Sequence, residues 1–420
     1  MRTRLLWVVP LCATTAASAS AQTLTIAQAV DEAIQHNLVL IAQKANLTIA
    51  DTQMLTARLR PNPVASFSAD HLDLLGTGFD ETNNGGPPEI ALRVDLPIER
   101  AGKRAKRIDL AAASHALAEA QFNDAVRTLR ADVTLACIDV LAARATRDLI
   151  ASNLRTFEEL ARVNRARADA GSIAPVESTR SQVAMLQFRS TAVRAELDLS
   201  TALARLRTLV GRSPSAALDV AGDLRPPPSS GDLELASVQQ IALSTRPDLR
   251  ALQLAESKSV ADLRLQEALG RIDYTVGAEY RRQQGIAGKS NSLGFFVSAP
   301  LPLLNRNQGE IARAGAERDQ TTKQIAATRS QIISDVAVAF NEYAVNRDLV
   351  SSIEHDLIAP ATSARDISTY TYRAGGTSLI ELLDAQRAFN DTMQSYLDAQ
   401  AGLRRAMARL NAAVGTEVMR

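Results

Sequence analysis

The 420-residue sequence is short of several things that a compact enzyme usually carries. Aromatic residues are only 4%, while Ala, Leu, Arg, Gln and Asp crowd the long segments, the usage of extended helices and coiled coils. The formal net charge of +1 excludes a chain whose main work is binding nucleic acid, because neutralising phosphates takes a strong basic excess. The four histidines, His36, His71, His115 and His355, are scattered without ligand spacing, so neither a metal site nor any other cofactor is expected. No Ser-His-Asp or Cys-His arrangement with recognisable context occurs, which leaves catalysis without candidates.

The two cysteines are Cys12 and Cys137. Cys12 lies in a segment that reads as a cleavable secretory signal: Arg2 and Arg4 precede the apolar run Leu5 to Cys12, and small residues end at Ala19-Ser20-Ala21. Residues 1–21 are therefore expected to be removed, leaving Gln22 first. Leu11 is bulkier than a lipobox allows, so acylation of Cys12 is not expected. Cys137 is then alone, and no intrachain disulfide can form. After the signal there is no run of 18 apolar residues, so a transmembrane helix is not expected, and entry into a membrane would have to be by strands.

What the sequence does have is a copy of itself. Ala204-Arg205-Leu206 and Val210-Gly211 recur as Ala408-Arg409-Leu410 and Val414-Gly415, an offset of 204 that also matches Gly171 to Gly375, Glu177 to Glu381 and Gln182 to Gln386. Leu96-Pro97-Ile98 answers Leu301-Pro302-Leu303 at a slightly different offset, as small loop insertions allow. The first repeat spans 22–224 and the second 232–415, with a Pro-rich linker at 225–231 and a short tail at 416–420.

Val126, Leu129, Val133, Ala136, Val140, Ala143, Ile150, Leu154 and Phe157 follow steps of three and four, broken only by Arg147, which is a coiled-coil seam. No proline lies between Pro97 and Pro175, so one helix is predicted over about 101–168, with a return over about 176–210. The second repeat predicts a helix over about 309–373, with Ile325, Ile332, Val336, Phe340, Tyr343, Val350, Ile353 and Leu357 on its seam, a break at Gly375-Gly376, and a return to about 414. Shorter helices are predicted near 25–60 and 233–270.

Between the helices of each repeat, apolar residues alternate with period two, the mark of strands with one apolar face. The strands are predicted at about 63–72 and 89–98, then at about 272–282 and 292–302. The connecting segments Leu74 to Pro88 and Gln283 to Asn291 read as loops. Runs of about ten residues suit a tilted membrane crossing. Four strands cannot close a barrel, and an open edge in lipid leaves backbone groups unpaired, so closure calls for other chains; three copies would supply twelve strands. The basic cluster Arg100, Lys103, Arg104, Lys106 and Arg107 falls where strand gives way to helix and reads as a charged collar at lipid headgroups.

The two-fold repeat, the hairpin within each half, and the turns Ala170-Gly171-Ser172-Ile173-Ala174-Pro175-Val176-Glu177 and Ala374-Gly375-Gly376-Thr377-Ser378-Leu379-Ile380-Glu381 resemble the TolC family of outer-membrane factors. The resemblance implies a mainly α fold with a membrane β-barrel part: a homotrimer whose long α-helical barrel projects into the periplasm and whose four strands per protomer close as a 12-stranded barrel. It implies an adaptor and an inner-membrane RND-type pump as partners. Arg60-Pro61-Asn62-Pro63, Pro97-Ile98-Glu99, Gly102-Lys103-Arg104 and Arg107 look most like the cobalt-zinc-cadmium branch. Related channels for drugs or secreted proteins share parts of the pattern, and a periplasmic structural coiled coil is the alternative of another class. By resemblance, Glu381 and Asp384 answer the family's paired pore carboxylates, and Tyr372 its gate tyrosine, with Glu177 placed to bond it. Gly171, Ser172, Gly375, Gly376 and Thr377 are then adaptor-contact tips. Thr377 stands where the family's archetype has a basic latch residue, so closure by that same ion pair is not expected.

Overall fold

A computed structural model describes residues 22–72, 74–76, 88–225, 233–285 and 288–419. The signal segment, most of the first hairpin loop and nearly all of the Pro-rich linker lie outside these described residues. The first repeat runs β1 (Gln22–Leu24), α1 (Ile26–His36), α2 (Leu38–Arg58), β2 (Val64–Asp70), β3 (Glu89–Ile98), α3 (Lys103–Asp169), α4 (Pro175–Leu209) and β4 (Leu218–Val220). The second runs α5 (Leu235–Thr245), α6 (Pro247–Leu269), β5 (Tyr274–Gly285), β6 (Gly288–Ser298), α7 (Gln308–Ser352), α8 (Ile358–Arg373) and α9 (Leu379–Val414).

At about 1.5 Å per residue, the 67 residues of α3 form a rod roughly 100 Å long. Its seam packs as the periodicity requires: Leu129, Val133, Ala136, Val140, Ile150 and Phe157 are buried. Two apolar clusters hold the middle of the molecule, one joining α1, α3, α4 and β4, the other joining α5, α7 and α9. Cys137 is fully buried in the first, and burial pushes its thiol up to about 12, so it behaves as a small apolar residue.

The structure corrects the sequence reading in several places. Each opening helix is two helices. Asn37 adopts extended backbone and caps α2 by accepting from the Leu40 N–H, and Arg246 is extended because Pro247 follows it at the first position of α6. The helix predicted over 309–373 is interrupted by a π-helical turn, Ile353–Leu357, in which the Ile358 N–H bonds the Ile353 carbonyl. Pro360 lies just beyond; it has no N–H and its ring would strike the carbonyl four residues back, so the widened turn makes room for it. Leu357, placed on the seam by periodicity, is rotated out to solvent.

In the first hairpin the leading strand is shorter than predicted, Val64–Asp70. The second pairs further toward its tip than predicted, to Gly285↔Gly288, so that Gln283–Gly285 and Gly288–Asn291 are strand rather than loop. It ends at Ser298 rather than near 302, before Pro300 and Pro302. A small parallel pair, β1 with β4, escaped the sequence reading because three-residue strands carry no period. The short tail folds back: the Val418 and Met419 N–H groups donate to Asn411 Oδ1.

The two hairpins form one antiparallel sheet in the order β2-β3-β5-β6, joined through β3 and β5. The repeat-matched glycines each end a return helix in the left-handed region, Gly211 at φ 75 and Gly415 at φ 85. Each sits against the break between the opening helices, at His36 and Arg246 respectively.

Candidate functional site

The sheet register sorts side chains onto two unlike faces. Phe67, Leu92, Tyr280 and Leu293 form one cross-strand row, and Ala65, Val94, Ala278 and Phe295 the next. This face has nothing packed on it: Phe295 is 78% exposed and Val297 73%. The opposite face is polar and knit by ion pairs, Arg93 with Asp95 at 2.9 Å and Arg281 with Glu89 at 2.6 Å and Glu279 at 3.0 Å. Phe296, the one large aromatic on that side among the described residues, lies under the Arg93 guanidinium at 4.3 Å. An apolar outer face and a charged inner face suit a wall between lipid and water. Among the described residues the outermost strands, β2 and β6, each keep one edge unpaired.

Where strand meets helix, much of the basic collar is engaged. Lys103 is buried and donates to Asp273 at 2.6 Å and to the Arg271 carbonyl; Arg107 pairs with Glu99; Arg104 donates to the Arg58 carbonyl at 2.7 Å. These contacts tie the base of α3 to the ends of α2 and α6. These residues thus lock sheet to rods.

At the far end, both tips are built alike. The Ser172 N–H bonds the Arg167 carbonyl and the Gly376 N–H bonds the Thr371 carbonyl, both at 2.8 Å, with Gly171 at φ 70 and Gly375 at φ 77. This closure demands a left-handed residue after the helix, which glycine supplies without a Cβ penalty. Gly171, Ser172, Gly375 and Gly376 are exposed, and Thr377 is half-buried with its hydroxyl 3.2 Å from that of Thr371.

The acidic pair is not equivalent in detail. Ser378 and Glu381 form a capping box at the start of α9: the Ser378 hydroxyl accepts from the Glu381 N–H, and the Glu381 carboxylate accepts from the Ser378 N–H at 3.2 Å. Asp384 is exposed, with Arg387 3.7 Å away. In the first repeat the matching cap position is Ala174, which has no hydroxyl, so Glu177 is not drawn into a cap.

Tyr372 is buried, and its hydroxyl donates to Asn164 Oδ1 at 2.8 Å rather than to Glu177. Burial pushes its phenol above the ordinary value, and the nearby Glu177 charge adds to that. Asn164, fully buried on α3, was missed by the sequence reading, although it continues the three-and-four steps from Phe157 through Ala161. Ser181, Gln386 and Asn390 are buried in the same end of the rods. Asn164 Nδ2 and both polar atoms of Asn390 have no hydrogen-bond partner among the described residues. Among the described residues no three His, Cys, Asp or Glu side chains gather as a metal-ligand set, nor is any helix long and apolar enough to cross a membrane.

The family described as outer membrane efflux protein matches residues 29–212 and 238–416, one block per repeat. The chain is 25% identical over 374 residues to the cobalt-zinc-cadmium resistance protein CzcC of Cupriavidus metallidurans, covering 89% of this chain and 86% of that one. It is 25% identical over 379 residues to the outer membrane efflux protein BepC of Brucella suis, covering 86% and 79%. Among solved structures, the Campylobacter jejuni CmeC outer membrane channel superposes with a TM-score of 0.77 at 12% identity, over 93% of this chain and 85% of that one. The open state of the Neisseria gonorrhoeae MtrE channel gives 0.75 at 18% identity, over 96% and 94%.

Proposed function

This chain belongs to the outer membrane efflux protein family, and on that premise we propose that it is the exit duct of a tripartite system that expels divalent heavy-metal cations. Membership makes it an outer-membrane efflux channel of the TolC kind, with strands in the membrane and rods in the periplasm. The finer reading is a homotrimer that conducts passively, docked through its helical tips onto a membrane-fusion adaptor and an inner-membrane RND-type pump.

The observation that carries the trimeric duct is the sheet: an unpacked apolar face, a charged inner face and an open edge on each side. Four strands with free edges in lipid forfeit several kcal/mol per unpaired group, and three copies reach an even strand number within the membrane-barrel range. The metal cargo is supported by the similarity to CzcC and to the nickel-cobalt-cadmium resistance protein NccC. An exposed Asp384 from each copy would add an acidic ring that favours cations. Similarity to BepC, whose name specifies no metal, keeps organic solutes as the competing cargo.

Deleting the gene and comparing tolerance to zinc, cobalt, cadmium and a drug panel tests the cargo. Metal hypersensitivity is expected; altered drug tolerance alone overturns the metal assignment. Native mass of detergent-extracted protein tests the trimer separately.

A further inference from the structure

The alternation that sorts the sheet into two faces also sorts its charges. Among the described strand residues the inner face carries Asp70, Glu89, Arg93, Asp95, Glu279 and Arg281, a mixture of signs in which both guanidinia are ion-paired. The outer, apolar face carries Arg282 and Lys289, and both are cationic. Both are exposed, and neither side chain has an ion pair or hydrogen bond among the described residues. Adjacent residues of β5 thus behave oppositely. Arg281 turns inward to Glu89 at 2.6 Å, and Arg282 turns outward with no counter-charge.

The two cations lie at one level of the sheet. From Tyr274 to Tyr280, about 20 Å of strand, every outer-face residue of β5 and of the strands paired with it is apolar or aromatic. Polarity begins in the next row, Arg282↔Asn291, and continues at Gln284↔Lys289. Tyr280 marks the boundary as an interfacial tyrosine does, its hydroxyl donating to Asn291 Oδ1 at 2.9 Å. α6 enters the sheet and α7 leaves it at the opposite end, so this boundary is the one away from the rods.

At the rod end the matching cation is already satisfied. The Arg100 guanidinium donates to the Tyr274 hydroxyl at 2.8 Å and lies 4.9 Å from the centre of its ring. Arg282 and Lys289 have no such partner. They are diagonal neighbours on paired strands, with backbones about 7–8 Å apart, within reach of one shared ligand. Two like charges so placed repel each other until an anion lies between them.

A cation on a lipid-facing strand is costly at mid-bilayer and tolerated near the headgroups, so both side chains belong at headgroup level. We infer that Arg282 and Lys289 together bind a phosphate of the phosphorylated glycolipid that forms the outer leaflet of the outer membrane. Arg282 supplies a planar, two-pronged donor and Lys289 the second positive charge. The site rests on the strands being the membrane part of the protein, with the rods in the periplasm. A rim that met only water would have no reason to exclude acidic residues, which the inner face carries freely.

Native mass spectrometry of the full-length protein, extracted from outer membranes and incubated with bis-phosphorylated lipid A, tests the site. Wild type is expected to retain lipid A, and the double variant Arg282→Gln, Lys289→Gln to retain about tenfold less. Lipid A stripped of its phosphates should bind wild type as weakly, and Lys289→Arg should bind the intact lipid like wild type. Equal retention of lipid A by wild type and double variant overturns the site, as does wild-type retention of phosphatidylglycerol as strong as that of lipid A. Either result, with both proteins recovered from the outer-membrane fraction, leaves the membrane placement of the strands standing. Absence of the wild-type chain from that fraction overturns the placement and the site together.

Discussion

The Tyr372 hydroxyl donates to Asn164 Oδ1 at 2.8 Å, bonding α8 to α3 across 208 residues of sequence inside the buried end of the rods. Both side chains are buried, and Asn164 Nδ2 has no hydrogen-bond partner among the described residues. This neutral hydrogen bond joins the two helical hairpins near their tips, beside the apolar cluster in which Phe157 and Ala184 meet Tyr372, Leu379, Leu382 and Leu383. In an apolar surround, such a bond costs more to leave half-made than it contributes when made.

Tyr372→Phe orphans the remaining Asn164 oxygen at a cost of about 1–3 kcal/mol. We expect larger single-channel conductance in planar bilayers as the hairpins part more readily. Unchanged conductance alongside a lower melting temperature would make the bond a packing feature only. Burial raises the Tyr372 pKa, so its contribution is complete below the unfolded value of about 10 and is lost only as pH rises through the higher folded value. Conductance should accordingly show no step from loss of this bond between about pH 6 and about pH 9.

The capping box separates the two tip carboxylates. Asp384→Asn should lower cation-over-anion permeability, read from reversal potentials, by roughly two-fold or more, as removing charge from an acidic ring does. Glu381→Gln keeps a side chain able to close the cap and should change selectivity less. Ser378→Ala removes the reciprocal bond, weakening the start of α9 by about 1 kcal/mol. Equal selectivity losses from both carboxamide variants would contradict this division.

Replacing Val94 or Val276 with Asp places a charge on the sheet's unpacked apolar face. Each should cost about 2 kcal/mol per copy at membrane depth, and the protein should leave the outer-membrane fraction. Ser68→Asp, on the ion-paired face, should remain there. Retention of both Asp variants at wild-type levels would mean that this face does not meet lipid.

Gly211 and Gly415 share a left-handed backbone but not their surroundings. A Cβ on Gly211 would sit 2.2 Å from the His36 carbonyl oxygen, whereas on Gly415 the nearest atom is Arg246 Cα at 3.3 Å. Alanine at either site carries the left-handed penalty of about 1–2 kcal/mol. Only Gly211→Ala must also displace backbone, so its thermal midpoint should fall further than that of Gly415→Ala.

Glu32 is held below the usual carboxylate range by its hydrogen bond with the Arg212 guanidinium, at 2.7 Å for one oxygen. Its folded pKa is depressed, so the stabilisation is present above the unfolded value of about 4.3 and is lost as pH falls through the folded one. Glu32→Gln should destabilise by about 1–2 kcal/mol near neutrality. Thermal melts of the two proteins should converge in acid, and a gap independent of pH would exclude the ion pair as the cause.

Much of the molecule was legible in the residues. The offset joining Gly211 to Gly415, the proline-free stretch before Pro175, the seam from Leu129 to Phe157 and the strict alternation from Leu92 to Leu96 all express local periods, which a chain carries whatever it folds against. What escaped has a common character. The π turn reflects one proline acting on a carbonyl a turn away; the β1–β4 pair is too short to have a period; Asn164 looks like any polar residue until it is known to face Tyr372.

The sequence by itself determined the rods, their turns, the two hairpins and the two-fold plan, because rise per residue, proline placement and apolar period are properties of neighbours along the chain. Tertiary structure alone decided that the hairpins share one sheet through β3 and β5 and that Tyr372 is bonded to Asn164. Those outcomes depend on which surfaces meet across about two hundred residues of separation, and no local pattern encodes a meeting between strangers.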